Sequence, residues 1–187
     1  MQRLFIALPV KKEVILLLKP ASDFLRKYNS ILKVVSQDNL HITMQFLGEC
    51  EDKLAERIIS NFNSINIQRD EIPFTVTGIG VFPDAQRASV IWIGLQTDER
   101  IIEPILNSIY EFTSQFGFKK EKRKFIPHLT LARVKRGKKI DKNLLEFIEN
   151  NKNKRFGESS FNKLVLFSSK LTPKGPIYTE LKSIDFV

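Results

Sequence analysis

Thiolate and imidazole are scarce in this chain of 187 residues, which carries one cysteine, Cys50, and two histidines, His41 and His128. A lone cysteine forbids an internal disulfide and leaves a thiolate zinc site short of ligands, and neither histidine has an HExxH-like partner at helical spacing. No metal and no other cofactor is therefore expected. Glycine is sparse too, at eight residues. None of the eight forms a Walker loop or a GxGxxG turn, which removes the usual signs of nucleoside triphosphate or dinucleotide binding. A GxSxG elbow is missing and Cys50 stands in no nucleophile motif, so serine and cysteine hydrolase chemistry is unsupported. Long apolar runs are also lacking. The opening stretch MQRLFIALPVKKEVILLL is broken by Pro9, Lys11, Lys12 and Glu13, unlike a secretory leader or a membrane span, and a cytoplasmic protein with no membrane association is expected.

What is present suits a folded soluble domain. Hydrophobic residues make up 42% and charged residues 27%, near the averages for globular proteins. No linker rich in proline, glycine or serine divides the chain, so residues 1–187 are expected to form one unit, a monomer, whose two lobes, if any, are packed together. The formal net charge is +9, which suits a polyanionic partner. The excess is concentrated around the second histidine: Lys119, Lys120, Lys122, Arg123 and Lys124 precede it, and Lys135, Arg136, Lys138 and Lys139 follow.

Apolar periodicity predicts a strand over residues 3–8, then a helix to about Tyr28 disturbed at Pro20. A weak strand near residues 32–36 and a strand from His41 to Leu47, stopping at Gly48, lead to a helix over 51–65. Strands over 72–82 and 88–95 are expected to pair as a hairpin, followed by a helix over 99–116, a strand over 128–134 and a helix over 141–150. The chain closes with a strand over 161–171, a turn at Pro173, Lys174 and Gly175, and a strand from Pro176 to Val187. Adjacent strands joined by short turns argue for antiparallel sheets and an α+β fold.

Both histidines occur in one phrase: NLHITMQFLG, residues 39–48, and IPHLTLAR, residues 126–133. On a strand, His41 and Thr43 share a face while Ile42 and Met44 share the other, and His128 and Thr130 are related in the same way. If the two strands flank a groove, two imidazoles and two hydroxyls converge on a volume the size of one phosphate. That set can cleave a phosphodiester without a metal: one imidazole takes a proton from water, the other protonates the leaving oxygen, and the hydroxyls donate to the non-bridging oxygens. The near-symmetric pattern does not rank the two histidines.

These residues resemble the 2H phosphoesterases, and within them the RNA 2',3'-cyclic phosphodiesterase (2'-5' RNA ligase) family. The matching stretches are RLFIAL, DNLHITMQFLGE, FPDAQRASVIWIGL, IPHLTLARV and LVLFSSKLTPKGPIYTEL, in order over nearly the whole chain. The resemblance implies a two-lobed, pseudo-twofold α+β fold, with antiparallel sheets, helices outside and one motif from each lobe in a central cleft. It implies opening of a 2',3'-cyclic phosphate at an RNA end to a 2'-phosphate, with His41 as proton donor and His128 as proton acceptor. Thr43, Thr130 and Arg133 carry over as phosphate ligands, Arg133 only if a bulge or the strand's end turns it toward His128. Phe5 and, less directly, Tyr178 carry over as base-stacking candidates. Departures are Ile126, where relatives often have a polar or basic residue, and Gln45, which leaves the first motif without the arginine that follows the second.

RNA ends and small cyclic nucleotides are both candidate substrates. The reverse reaction, 2'-5' RNA ligation, would use the same acid and base. A basic RNA-end binding module without turnover is the remaining alternative.

Overall fold

The structure, a computed structural model, describes residues 1–67, 70–173 and 175–186. The chain begins with β1 (Gln2–Pro9), α1 (Lys12–Arg26), β2 (Leu32–Val34), β3 (His41–Cys50) and α2 (Asp52–Asn61). It continues through β4 (Ile72–Phe82), β5 (Val90–Gln96), α3 (Glu99–Ser114) and β6 (His128–Val134), then α4 (Lys142–Asn151), β7 (Arg155–Phe161), β8 (Lys163–Thr172) and β9 (Gly175–Asp185).

Amphipathic spacing explains the helices. Val14, Leu18, Ala21 and Leu25 of α1 are buried, one face at intervals of three and four residues. That face holds α1 continuous through Pro20, where a disturbance was expected; a proline removes a single ladder bond, and tertiary packing outweighs it. α3 starts at Asp98, whose side chain accepts from the Arg100 amide, and α4 at Asp141, which accepts from Leu144 N at 2.9 Å. Both are N-cap bonds.

The strands form two antiparallel sheets, one ordered β3-β1-β8-β9 and the other β2-β6-β5-β4-β7. The fold is thus α+β with two lobes, as expected. Each lobe draws on distant parts of the chain: the first sheet joins β1 and β3 to β8 and β9, and the second joins β2, which precedes β3, to β4, β5, β6 and β7. α2 and α3 pack on the first sheet, α1 and α4 on the second. One cluster of buried side chains, including Leu4, Ile6, Ile42 and Leu166 with Val76, Ile91 and Leu129, draws on both sheets.

The sequence reading differs from the structure at several ends. β3 continues past Gly48 to Cys50, because Gly48 adopts a left-handed φ of 74° at an irregularity opposite Leu4 and Phe5, which glycine tolerates. β7, RFGESSF, was not expected at all. It is mostly polar and half-exposed, so it carries no apolar alternation, and its register comes from pairing with β4. Gly157 in this strand lies under Leu17 of α1, where a Cβ would approach Leu17 Cδ1 to 2.7 Å. Lys174 of the expected turn and Val187 at the end of the expected last strand lie outside the described residues.

Candidate active site

His41 opens β3 and His128 opens β6, and the two strands approach one another between the sheets. The rings are held in the same way. Nδ1 of His41 lies 2.8 Å from the Asn39 carbonyl, and Nδ1 of His128 lies 2.7 Å from the Ile126 carbonyl. A carbonyl oxygen can only accept, so each Nδ1–H donates and Nε2 of the neutral ring keeps its lone pair. Ile126, flagged as a departure, therefore contributes through its backbone. His41 Nε2 stands 3.2 Å from Thr43 Oγ1, whose hydroxyl can donate to it.

Both motif strands carry a β-bulge at the same place. Along β3 the partners on β1 are Ala7 for Thr43 and Ile6 for Gln45, so Met44 is the extra residue. Gln45 is thereby turned to the buried face and Phe46 to the face of His41 and Thr43. Along β6 the partners on β5 are Trp92 for Thr130 and Ile91 for Ala132, so Leu131 is extra. Arg133, opposite Val90, is turned to the face of His128 and Thr130. The bulge that Arg133 needed is present.

The counterpart of Arg133 in the first motif is consequently Phe46, and Gln45 corresponds to Ala132. Gln45 is 3% exposed; its Oε1 accepts from Thr113 Oγ1 at 2.8 Å and its Nε2 donates to the Lys119 carbonyl at 3.4 Å. It ties the first motif to α3 and to the basic loop before His128. Phe46 is 60% exposed. Comparing HITMQF with HLTLAR position by position would have pointed to it.

Aromatic rings back both histidines. Phe5 lies 4.9 Å from the His41 ring and stacks on Phe167 at 5.3 Å, while Tyr178 meets His41 edge-on at 5.2 Å. Phe5 is 2% exposed, so its ring supports His41 from below; on this face the open aromatic is Phe46, 6.1 Å from Phe5. Behind His128 stand Phe82 at 5.1 Å and Trp92 at 6.2 Å.

Burial pushes the His41 pKa down to about 4, against the opposing hydrogen bond to Asn39, with Arg133 and His128 adding to the lowering. The charge of Arg133 thus reaches His41 from the other sheet. Burial raises the Tyr178 hydroxyl, while Arg133 and Arg3 pull it down. Arg133 therefore acts electrostatically on both His41 and Tyr178. Cys50 is buried and free, its thiol pushed up by burial, and it plays no part here. In the basic loop, Lys120 bonds Asn107 and Lys124 pairs with Glu99. Among the described residues no group of three or more His, Cys, Asp or Glu is placed to hold a metal ion. No helix among them is long and apolar enough to cross a membrane.

The family model described as LigT like Phosphoesterase matches residues 12–92 and 95–178. The chain belongs to the LigT-like phosphoesterases. Among relatives of this family, a protein of Archaeoglobus fulgidus named RNA 2',3'-cyclic phosphodiesterase is 34% identical over 96% of this chain and 98% of its own. One of Methanocaldococcus jannaschii with the same name is 39% identical over 81% of this chain and 83% of its own. The LigT-like fold recurs in the crystal structure of TT0787 of Thermus thermophilus, with a TM-score of 0.80 at 24% identity, covering 98% of this chain and 97% of that one. It recurs also in E. coli LigT complexed with 3'-AMP, with a TM-score of 0.73 at 23% identity, covering 99% and 98%.

Proposed function

We propose that residues 1–187 act as one bilobal domain that hydrolyses RNA 2',3'-cyclic phosphate ends to 2'-phosphomonoesters, without a metal, using His41 and His128. The observation that carries this reading is the matched anchoring of the two imidazoles, each Nδ1 on a carbonyl two residues upstream, with the Thr43 hydroxyl at His41 Nε2. Relatives named RNA 2',3'-cyclic phosphodiesterase supply the substrate class.

In the proposed reaction His128 Nε2 takes a proton from water as its oxygen bonds to phosphorus. The bond from phosphorus to the ribose 3' oxygen breaks, and His41 Nε2–H protonates that oxygen, leaving a 2'-phosphate and a free 3'-hydroxyl. Thr43 and Thr130 hydroxyls and the Arg133 guanidinium hold the non-bridging oxygens as charge builds. Phe46 offers its exposed face to the terminal base, a stacking role first assigned to Phe5, with Tyr178 at the edge of the same cluster.

With a pKa of about 4, His41 is neutral in the free protein at neutral pH. To serve as acid it takes up its proton as the phosphodiester anion arrives, since an anion beside Nε2 favours imidazolium. The same low pKa favours a second reading in which neutral His41 is the base and His128 the acid. A substrate whose leaving group needs no proton separates them: the variant lacking the acid regains activity on it, and the variant lacking the base does not.

The overall reading is tested with an oligonucleotide ending in a 2',3'-cyclic phosphate, incubated in chelator. A 2'-phosphate product is expected. A 3'-phosphate, or turnover only after metal is added, overturns it. Adding an RNA with a 5'-hydroxyl to the same reaction tests for 2'-5' ligation through the same groups.

A further inference from the structure

The ladder between β2 and β6 sets two cations side by side. Lys33 on β2 lies directly opposite Arg133 on β6, so both side chains leave the sheet on one face, the face of His128 and Thr130. Lys33 is exposed, and neither it nor Arg133 forms an ion pair or side-chain hydrogen bond with a described residue. Like charges directly opposite in a ladder are destabilising. No carboxylate among the described residues pairs with either cation, which is the arrangement expected where an anion is to be bound.

The position of Lys33 relative to the reacting groups follows from the β8–β9 hairpin. A methyl placed on Gly175, at the start of β9, would stand 3.7 Å from Lys33 Nζ, so the ammonium lies against the hairpin tip. Tyr178, three residues on, has its ring 5.2 Å from that of His41. At about 3.3 Å of rise per residue, Lys33 stands on the order of 10 Å from Tyr178 along β9. Asn39, whose carbonyl anchors His41, also donates from its side chain to the Pro176 carbonyl at 3.0 Å, fixing the tip against the wall that carries the histidine.

We infer that Lys33, beside Arg133, is a second phosphate subsite that takes the phosphodiester 5' to the terminal nucleotide. It makes the protein prefer an oligonucleotide end to a cyclic mononucleotide. The inference rests on the phosphodiesterase reading above. A 2',3'-cyclic phosphate occupies both ribose hydroxyls, so the RNA can continue only through its 5' oxygen. The next charge the protein meets is that upstream phosphate, which a mononucleotide lacks. Lysine serves here as a point charge.

The test compares wild type with Lys33→Gln and Lys33→Arg on three substrates: a 2',3'-cyclic mononucleotide, the same compound carrying a 5'-phosphate, and a short oligonucleotide ending in the cyclic phosphate. Lys33→Gln is expected to lower the ratio of kcat/KM for oligonucleotide over mononucleotide about tenfold, and Lys33→Arg to restore most of it. The 5'-phosphorylated mononucleotide should follow the oligonucleotide. The salt dependence of oligonucleotide binding should weaken by about 0.7 in log–log slope, the loss of one phosphate contact to a single strand. A ratio within twofold of wild type, or equal losses on all three substrates, overturns the subsite. Titrating 2'-phosphate-ended mono- and dinucleotides by calorimetry separates the two readings. If wild type turns over none of the cyclic substrates, the hydrolase reading fails, and the affinity difference between these products, with and without Lys33, still decides the subsite.

Discussion

Phe46 and Arg133 occupy the same place in the two motifs, each three residues beyond the motif threonine and each brought onto the histidine face by a bulge, at Met44 and Leu131 respectively. Two nearly identical strands thus deliver different groups to the histidine faces, an apolar ring from β3 and a cation from β6. A nucleotide is asymmetric in the same sense, with a base on one side and a phosphate on the other.

This asymmetry separates the effects of the two substitutions. Phe46→Ala should raise KM for cyclic nucleotides about 5- to 150-fold, the range for losing one base-stacking contact, with kcat little changed. Arg133→Met should lower kcat/KM about 10- to 1,000-fold through loss of a charge-assisted contact to the phosphate. Steady-state kinetics on one cyclic nucleotide checks both, and equal kcat losses in the two variants would contradict the division.

His41→Gln and His128→Gln should each lower kcat at least 100-fold, the usual contribution of a positioned acid or base, while the circular dichroism spectrum stays that of wild type. The rate profile of wild type against pH should be bell-shaped. A variant of either histidine that kept more than a tenth of the activity would remove it from the reaction.

The stability of the protein should depend on His41 in acid. Its folded pKa of about 4 lies below the roughly 6.5 of a free imidazole. Between those values the unfolded chain binds a proton that the folded chain refuses. Stability is therefore full above about pH 6.5 and falls as pH drops toward 4, by something on the order of 3 kcal/mol. His41→Gln should flatten this window. Denaturant unfolding of both proteins at pH 7 and pH 4.5 measures it, and the difference between them cancels the losses from carboxylates such as Glu71 and Asp84, whose pKa values are also lowered.

Gln45 should behave as a structural residue. Gln45→Leu removes the donor to the Lys119 carbonyl and leaves the Thr113 hydroxyl only the longer bond to the Tyr110 carbonyl at 3.3 Å, and should cost roughly 1–3 kcal/mol of stability with KM changed less than threefold. Gln45→Leu combined with Thr113→Val should recover part of that loss. A large rise in KM at unchanged stability would place Gln45 at the substrate instead.

The sequence by itself determined the chemical groups and their pairing into two phrases. His-x-Thr on a strand puts imidazole and hydroxyl on one face whatever the surroundings, and helical spacing is enough to reveal α1 and α3. It did not reveal β7, whose polar residues follow a register imposed by β4, nor the lobes, which are assembled from strands far apart in the chain. The bulges at Met44 and Leu131 were also beyond it, because an extra residue is defined only against the partner strand. Tertiary structure alone turned Gln45 inward and Phe46 outward, brought Arg133 back to the face of His128, and set Lys33 opposite it. Burial, likewise a property of the assembled fold, is what keeps the His41 imidazole neutral down to about pH 4.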